Sequence, residues 1–89
     1  MKFSVELSAT AEKDLDSFDK KTCQIIRKKL DKESENPLQF LERLAGYTLY
    51  KLRCGDYRLV IRLDTSQKIM QVVMMDHRKR SYKRLQKIN

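Results

Sequence analysis

Glycine occurs only twice in this chain, at Gly46 and Gly55, too few to build the glycine-rich loop that cradles a phosphate. Cysteine is equally sparse. Cys23 and Cys54 lie far apart with no C-x-x-C between them, which signals neither a disulfide scaffold nor a zinc site. His77 is the only histidine, so no metal-ligand set of a standard kind is complete, and neither a metal nor a small-molecule cofactor is expected. No apolar run reaches the length of a signal peptide or a membrane span, and a cytoplasmic protein without membrane association is expected. Acidic residues are scarce in one half only. Residues 1–42 hold eight Lys/Arg against nine Asp/Glu, whereas residues 43–89 hold twelve against three. The net charge of +8 therefore divides into −1 and +9. Three acids cannot pair twelve bases, and this imbalance favours a polyanionic partner.

What is present suits one small folded domain spanning residues 1–89. Hydrophobic residues make up 40% of the chain and charged residues 36%, enough for a single core but one of modest size. "KFSVEL" alternates Phe3, Val5 and Leu7 with polar residues, the period of a half-buried strand. Ser8 is a helix N-cap candidate, and Ala11, Leu15 and Phe18 recur at helical spacing behind it, with acids in the early turns. The first helix is expected over roughly 9–18. Cys23, Ile26 and Leu30 resume the stripe, with Ile25 beside it, in a second helix over about 20–34, which ends before Asn36-Pro37 because a residue preceding proline is pushed out of helical geometry. "LQFLERLAG" reads as a connector that holds a helical turn and is closed by Gly46.

Three β-like stretches follow. "TLYKLR" alternates imperfectly, "YRLVIRL" sets Tyr57, Leu59, Ile61 and Leu63 against Arg58, Val60 and Arg62, and "IMQVVMM" is apolar almost throughout, as in a strand buried on both faces. The links Cys54-Gly55-Asp56 and Asp64 to Lys68 suit hairpins. An α+β fold with the order β-α-α-β-β-β is expected, an antiparallel meander packed on an N-terminal helical hairpin. The spacing of Tyr82, Leu85 and Ile88 allows a short C-terminal helix.

Residues two apart in a strand share a face. Lys51 and Arg53 therefore project together, as do Arg58 and Arg62, on a basic sheet face suited to a phosphate backbone. A helix-turn-helix reader fits poorly, because it concentrates charge on its second helix and here "KKTCQIIRKKLDKESE" offsets its bases with acids.

The stretches "LAGYTLYKLRCGDYRLVIRL" and "DHRKRSY", with the Ser8-x-x-Ala11 opening of the first helix, resemble the RelE/ParE superfamily of bacterial and archaeal toxins from toxin–antitoxin systems, and the RelE branch in particular. The resemblance extends over nearly the whole chain. It implies a metal-independent endoribonuclease, an mRNA interferase that cuts message in the ribosomal A site by 2′-hydroxyl attack and is neutralised by a cognate antitoxin, for which the +9 half calls for acidic residues. By position, Lys51, Arg53, Arg58, Arg78 and Tyr82 match functional residues of the family. Leu49 stands where some relatives carry a second lysine, and no acid falls where others pair a carboxylate with a C-terminal histidine. Arg58 and Arg78 suit the phosphate, since a guanidinium grips two oxygens. Either Lys51 or His77 suits the base, and Tyr82 suits stacking on a nucleobase or orienting the 2′-hydroxyl, although its place in the terminal stripe suits packing equally. His77 to Arg80, with Tyr82, is expected to form one wall of the site facing Lys51 and Arg58. Arg53, Arg62, Lys79, Arg80, Lys83 and Arg84 complete the RNA-binding set. Two other readings share the fold: a ParE-like gyrase inhibitor without nuclease chemistry, and a catalytically inactive RNA-binding relative.

Overall fold

The computed structural model describes residues 2–44 and 49–77. Its elements run in chain order as β1 (Ser4–Leu7), α1 (Ala9–Asp16), α2 (Lys20–Glu33), α3 (Pro37–Phe40), β2 (Glu42–Arg43), β3 (Tyr50–Cys54), β4 (Tyr57–Asp64) and β5 (Ile69–His77). The strands form one sheet in the order β1-β5-β4-β3-β2. β3, β4 and β5 make the expected antiparallel meander, and β1 joins β5 in parallel. Two elements exceed the expected order. The connector does hold a helical turn, α3, but also the two-residue strand β2, too short for alternation to reveal. The expected helix at Tyr82, Leu85 and Ile88 lies outside the described residues.

Local chemistry explains the helix boundaries. Ser8 Oγ accepts the Ala11 amide at 3.0 Å and caps α1, and Asp19 Oδ1 accepts the Thr22 amide at 2.7 Å and caps α2. Such caps satisfy amides that the first helical turn cannot pair. Pro37 opens α3 at a position where its missing N–H costs nothing. The β3–β4 hairpin turns at Gly55 with φ +61°, a backbone region that strains other residues. Between β4 and β5, Asp64 Oδ1 accepts the amides of Ser66 and Gln67, each at 3.1 Å.

The main core lies between the helices and one face of the sheet. Ala11, Leu15, Ile26 and Leu30 pack against Leu52, Leu59, Ile61, Met70, Val72 and Met75. A smaller cluster on the other face joins Leu44, Leu49, Val60 and Met74. Leu49 and Leu52 thus belong to opposite faces, which is why "TLYKLR" alternates imperfectly. β5 contributes buried residues to both sides, as its apolar run predicts. Val5, expected inward with Phe3 and Leu7, is 38% exposed, because β1 is the edge strand and leaves the rim of the core open. Among the described residues no helix is long and apolar enough to cross a membrane.

A β-bulge in β5 decides which side chains share a face. Val60 pairs with Met74 but Ile61 pairs with Val72, so Val73 is an extra residue and the alternation inverts across it. Before the bulge Met70 and Val72 face the helices. After it Met75 and His77 do, opposite Leu59 and Tyr57. α1 holds this irregular stretch. The Ser8 amide donates to the Val72 carbonyl at 2.9 Å, the Ser8 hydroxyl donates to the Val73 carbonyl at 2.5 Å, and the Met75 amide donates to Asp14 Oδ2 at 3.0 Å. These bonds continue the pairing of the β5 edge where β1 ends.

Removing the Asp14 carboxylate leaves the Met75 amide without that acceptor, so Asp14→Ala is expected to cost about 1–3 kcal/mol, read as a lower urea midpoint. The Thr22 hydrogen bonds hold the Asp19 carboxyl below its ordinary value of 3.8, and those from Gln67 and Ser66 do the same for Asp64. A depressed carboxyl contributes stability above its unfolded value, and that contribution is lost as pH falls through the folded value. The double variant Asp19→Asn/Asp64→Asn keeps the acceptors but not the titration. Its thermal stability is expected to fall less steeply than that of the parent below the ordinary value of 3.8.

Candidate active site

The helix-free face of the sheet collects charge in two cross-strand rows. In the first, Glu42 on β2 faces Lys51 on β3, which faces Val60 on β4 and then Met74 on β5. In the second, Arg53 on β3 faces Arg58 on β4, which faces Asp76 on β5. Directly opposed residues in antiparallel strands share a face, with Cβ atoms about 4.5–5.5 Å apart. Lys51, Arg53 and Arg58 therefore occupy one patch. Arg62, opposite Gln71, extends it along β4.

The cations differ in how firmly they are held. Arg53 and Arg62 are exposed, as mobile electrostatic contacts would be. Arg58 is half-buried, and its Nε and Nη1 atoms are sealed from solvent, so the guanidinium is seated in the sheet. Lys51 Nζ lies 3.4 Å from Glu42 Oε2, with 19% of its side chain exposed. Leu44, Leu49, Val60 and Met74 form an apolar floor beside it. A low-polarity floor next to fixed cations strengthens their pull on an anion.

Two arginines directly opposed across a strand pair repel each other. A fold selected for stability alone has no use for this arrangement, and strained or repulsive groupings collect where function needs them. The patch gathers the ammonium of Lys51 and the guanidinium groups of Arg53 and Arg58 on one face, a cationic surface suited to a phosphate group.

His77 is not brought to this patch. The bulge turns it to the helix side, where its ring meets Tyr57 edge-on at 5.9 Å between centroids, and Tyr57 in turn packs on Phe18 at 4.5 Å. His77 was expected in one wall with Lys51 and Arg58; the extra residue Val73 inverts the alternation along β5 and turns it to the opposite face. Arg78, Lys79, Arg80, Tyr82, Lys83 and Arg84 lie outside the described residues. Two acids on the patch escaped the sequence reading. Glu42 sits in a strand too short to recognise, and Asp76 reaches this face only because of the bulge. Among the described residues no three His, Cys, Asp or Glu side chains cluster as a metal site would. Cys54 faces the core, and burial pushes its thiol pKa up.

The model of the ParE toxin family of type II toxin–antitoxin systems matches residues 5–82. The chain belongs to that family of toxins, within the RelE/ParE superfamily. Its fold recurs in solved structures. A free-state mutant of the E. coli toxin RelE is 23% identical, with all of both chains covered and a TM-score of 0.79. The RelBE2 toxin–antitoxin complex of Mycobacterium tuberculosis is 23% identical over 88% of this chain and 100% of the matched one, with a TM-score of 0.77. The archaeal RelE–RelB complex of Pyrococcus horikoshii is 24% identical over 91% of this chain and 100% of the matched one, with a TM-score of 0.75. No curated protein matches by sequence.

Loss of the Arg53 guanidinium removes the repulsion facing Arg58. Arg53→Ala is expected to raise stability by about 0.2–1 kcal/mol while eluting from a polyanion resin at lower salt than the parent. Denaturant titration and column retention read the two effects separately.

Proposed function

We propose that this toxin is a ribosome-dependent mRNA endonuclease of the RelE kind, acting without a metal. The observation that carries the reading is the placement of Lys51, Arg53 and Arg58 on one helix-free face, with two arginines opposed although they repel. In the reaction the 2′-oxygen of the message bonds to the adjacent phosphorus and the bond to the 5′-oxygen breaks. The products are a 2′,3′-cyclic phosphate and a 5′-hydroxyl. The proton of the 2′-hydroxyl passes to a base, and the departing 5′-oxygen receives one from an acid. Arg58 stabilises the charge that gathers on the pentacovalent phosphate. Lys51 stands next to it on the same face, as a base or a second electrostatic group. Arg78, which follows β5 in the sequence, supplies a further guanidinium, and Tyr82 a stacking or orienting ring. His77, turned toward Tyr57, is assigned to the rim of the site, and Lys79, Arg80, Lys83 and Arg84, which follow it in the sequence, are assigned to attracting RNA.

Cationic surface of this kind also suits neutralisation by an acidic protein. Two of the similar structures are complexes of RelE-type toxins with their antitoxins, and a cognate acidic antitoxin is the partner proposed here.

The family model is that of the ParE toxins, which favours one second reading: inhibition of DNA gyrase through the same fold with no bond cleaved. The two readings part in one pair of assays. Purified protein added to ribosomes paused on a defined message is expected to cut in the A-site codon, mapped by primer extension, and to leave gyrase supercoiling unchanged. Arg58→Ala is expected to slow cutting by about 10²–10³-fold. Inhibited supercoiling with intact message would establish the gyrase reading instead, and binding to ribosomes with neither effect would indicate an inactive relative.

A further inference from the structure

Asp76 is the one acid in the second charged row, and its surroundings mark it as more than a surface counter-charge. It is 6% exposed, and carboxylates are rarely buried so far unless they are held by donors or cations. One of its oxygens, Oδ1, accepts the amide of His77 at 2.7 Å. This bond to the next residue's backbone limits rotation of the side chain, and a carboxylate retains acceptor capacity on its other oxygen. The register places Asp76 directly opposite Arg58, which is itself directly opposite Arg53. The order across three strands is therefore cation, cation, acid, with the seated arginine in the middle.

This arrangement is a consequence of the bulge. Were Val73 an ordinary paired residue, unbroken alternation along β5 would turn Asp76 toward the helices and His77 toward the opposite face. The bonds from Ser8 and Asp14 to β5 hold the chain in the register that does the opposite.

We propose that Asp76 is a positioning residue for Arg58. Its carboxylate orients the guanidinium across the β4–β5 pair, offsets the repulsion from Arg53, and leaves Arg58 directed at the position of the reacting phosphate. A misplacement on the order of 1 Å at such a group costs about 10²-fold in rate, so orientation is the property that matters. The part concerning rate rests on the nuclease reading above. The part concerning the orientation of Arg58 does not.

Asp76→Asn keeps the shape and the acceptor for the His77 amide but removes the charge, and Asp76→Glu restores the charge on a longer arm. On programmed ribosomes, Asp76→Asn is expected to lower the maximal cleavage rate by about 10–100-fold, with half-saturating ribosome concentration changed less than about threefold. Asp76→Glu is expected to recover part of the rate. In an Arg58→Ala background, Asp76→Asn is expected to cause no further loss, because coupled residues are non-additive. An equal fractional loss in both backgrounds would overturn the proposal. A purely structural role would lower the melting temperature and slow both backgrounds alike. Nuclear magnetic resonance of the arginine side chains supplies a readout independent of catalysis. The Arg58 Nε–H is expected to exchange slowly with solvent in the parent and in Asp76→Glu, and at least about tenfold faster in Asp76→Asn. Unchanged exchange in Asp76→Asn would sink the proposal even if cleavage fell. Absence of cleavage by the parent, together with the expected exchange pattern, would refute the nuclease reading alone and leave the Asp76 assignment standing.

Discussion

One extra residue in β5, held in place by the first helix, governs which side chains share the charged face of this protein. Val73 has no counterpart on β4, and a strand with an inserted residue presents its later side chains on the face opposite to that expected. Everything past the bulge is reassigned: Met75 enters the main core, Met74 floors the opposite face, His77 turns to Tyr57, and Asp76 meets Arg58. Ser8 and Asp14 reach the β5 backbone at Val72, Val73 and Met75. The same serine caps α1, so the start of the helix and the bulge are secured by one side chain. Packing, bulge and site are consequently one construction.

The two faces of the sheet then divide the work. On the helix side a continuous apolar cluster supplies the hydrophobic stabilisation, with Leu59, Ile61, Met70, Val72 and Met75 fully buried and each such side chain contributing about 1.5–3 kcal/mol. On the other side a smaller apolar floor carries Lys51, Arg53 and Arg58. The charges cannot be as well solvated as scattered surface residues, since Arg58 is seated and Lys51 is largely covered. Glu42 and Asp76 stand at the two ends of the patch, one opposite each held cation. Fixed cations flanked by acids bind an incoming polyanion less tightly than bare ones, but hold one geometry, which is what phosphoryl chemistry requires.

Much of this was legible from residue order, for identifiable reasons. The helices are amphipathic, capped by Ser8 and Asp19, and closed before Pro37, so local propensity and tertiary packing agree. β4 alternates without interruption, which is why Arg58 and Arg62 could be placed on one face with Lys51 and Arg53 beside them. β2 escaped notice because two residues carry no period. Asp76 escaped notice, and His77 was expected on the face of Lys51 and Arg58, because "IMQVVMM" is apolar on both faces: a strand with few polar side chains in alternation gives no sign of where its phase inverts.

The amino-acid order by itself determined the class of fold, the meander, and the division of charge into a near-neutral half and a strongly basic one, since each rests on local periodicity or composition that no partner element can alter; the family came from the resemblance of its motifs. The tertiary structure alone decided the parallel docking of β1 on β5, the bulge at Val73, the pairing of Lys51 with Glu42, and the choice of Asp76 over His77 as the neighbour of Arg58. These depend on hydrogen bonds and strand registers joining residues more than sixty positions apart in some cases, as from Ser8 to Val73 and Asp14 to Met75. A single inserted residue, invisible to periodicity in an apolar strand, is enough to exchange the two faces.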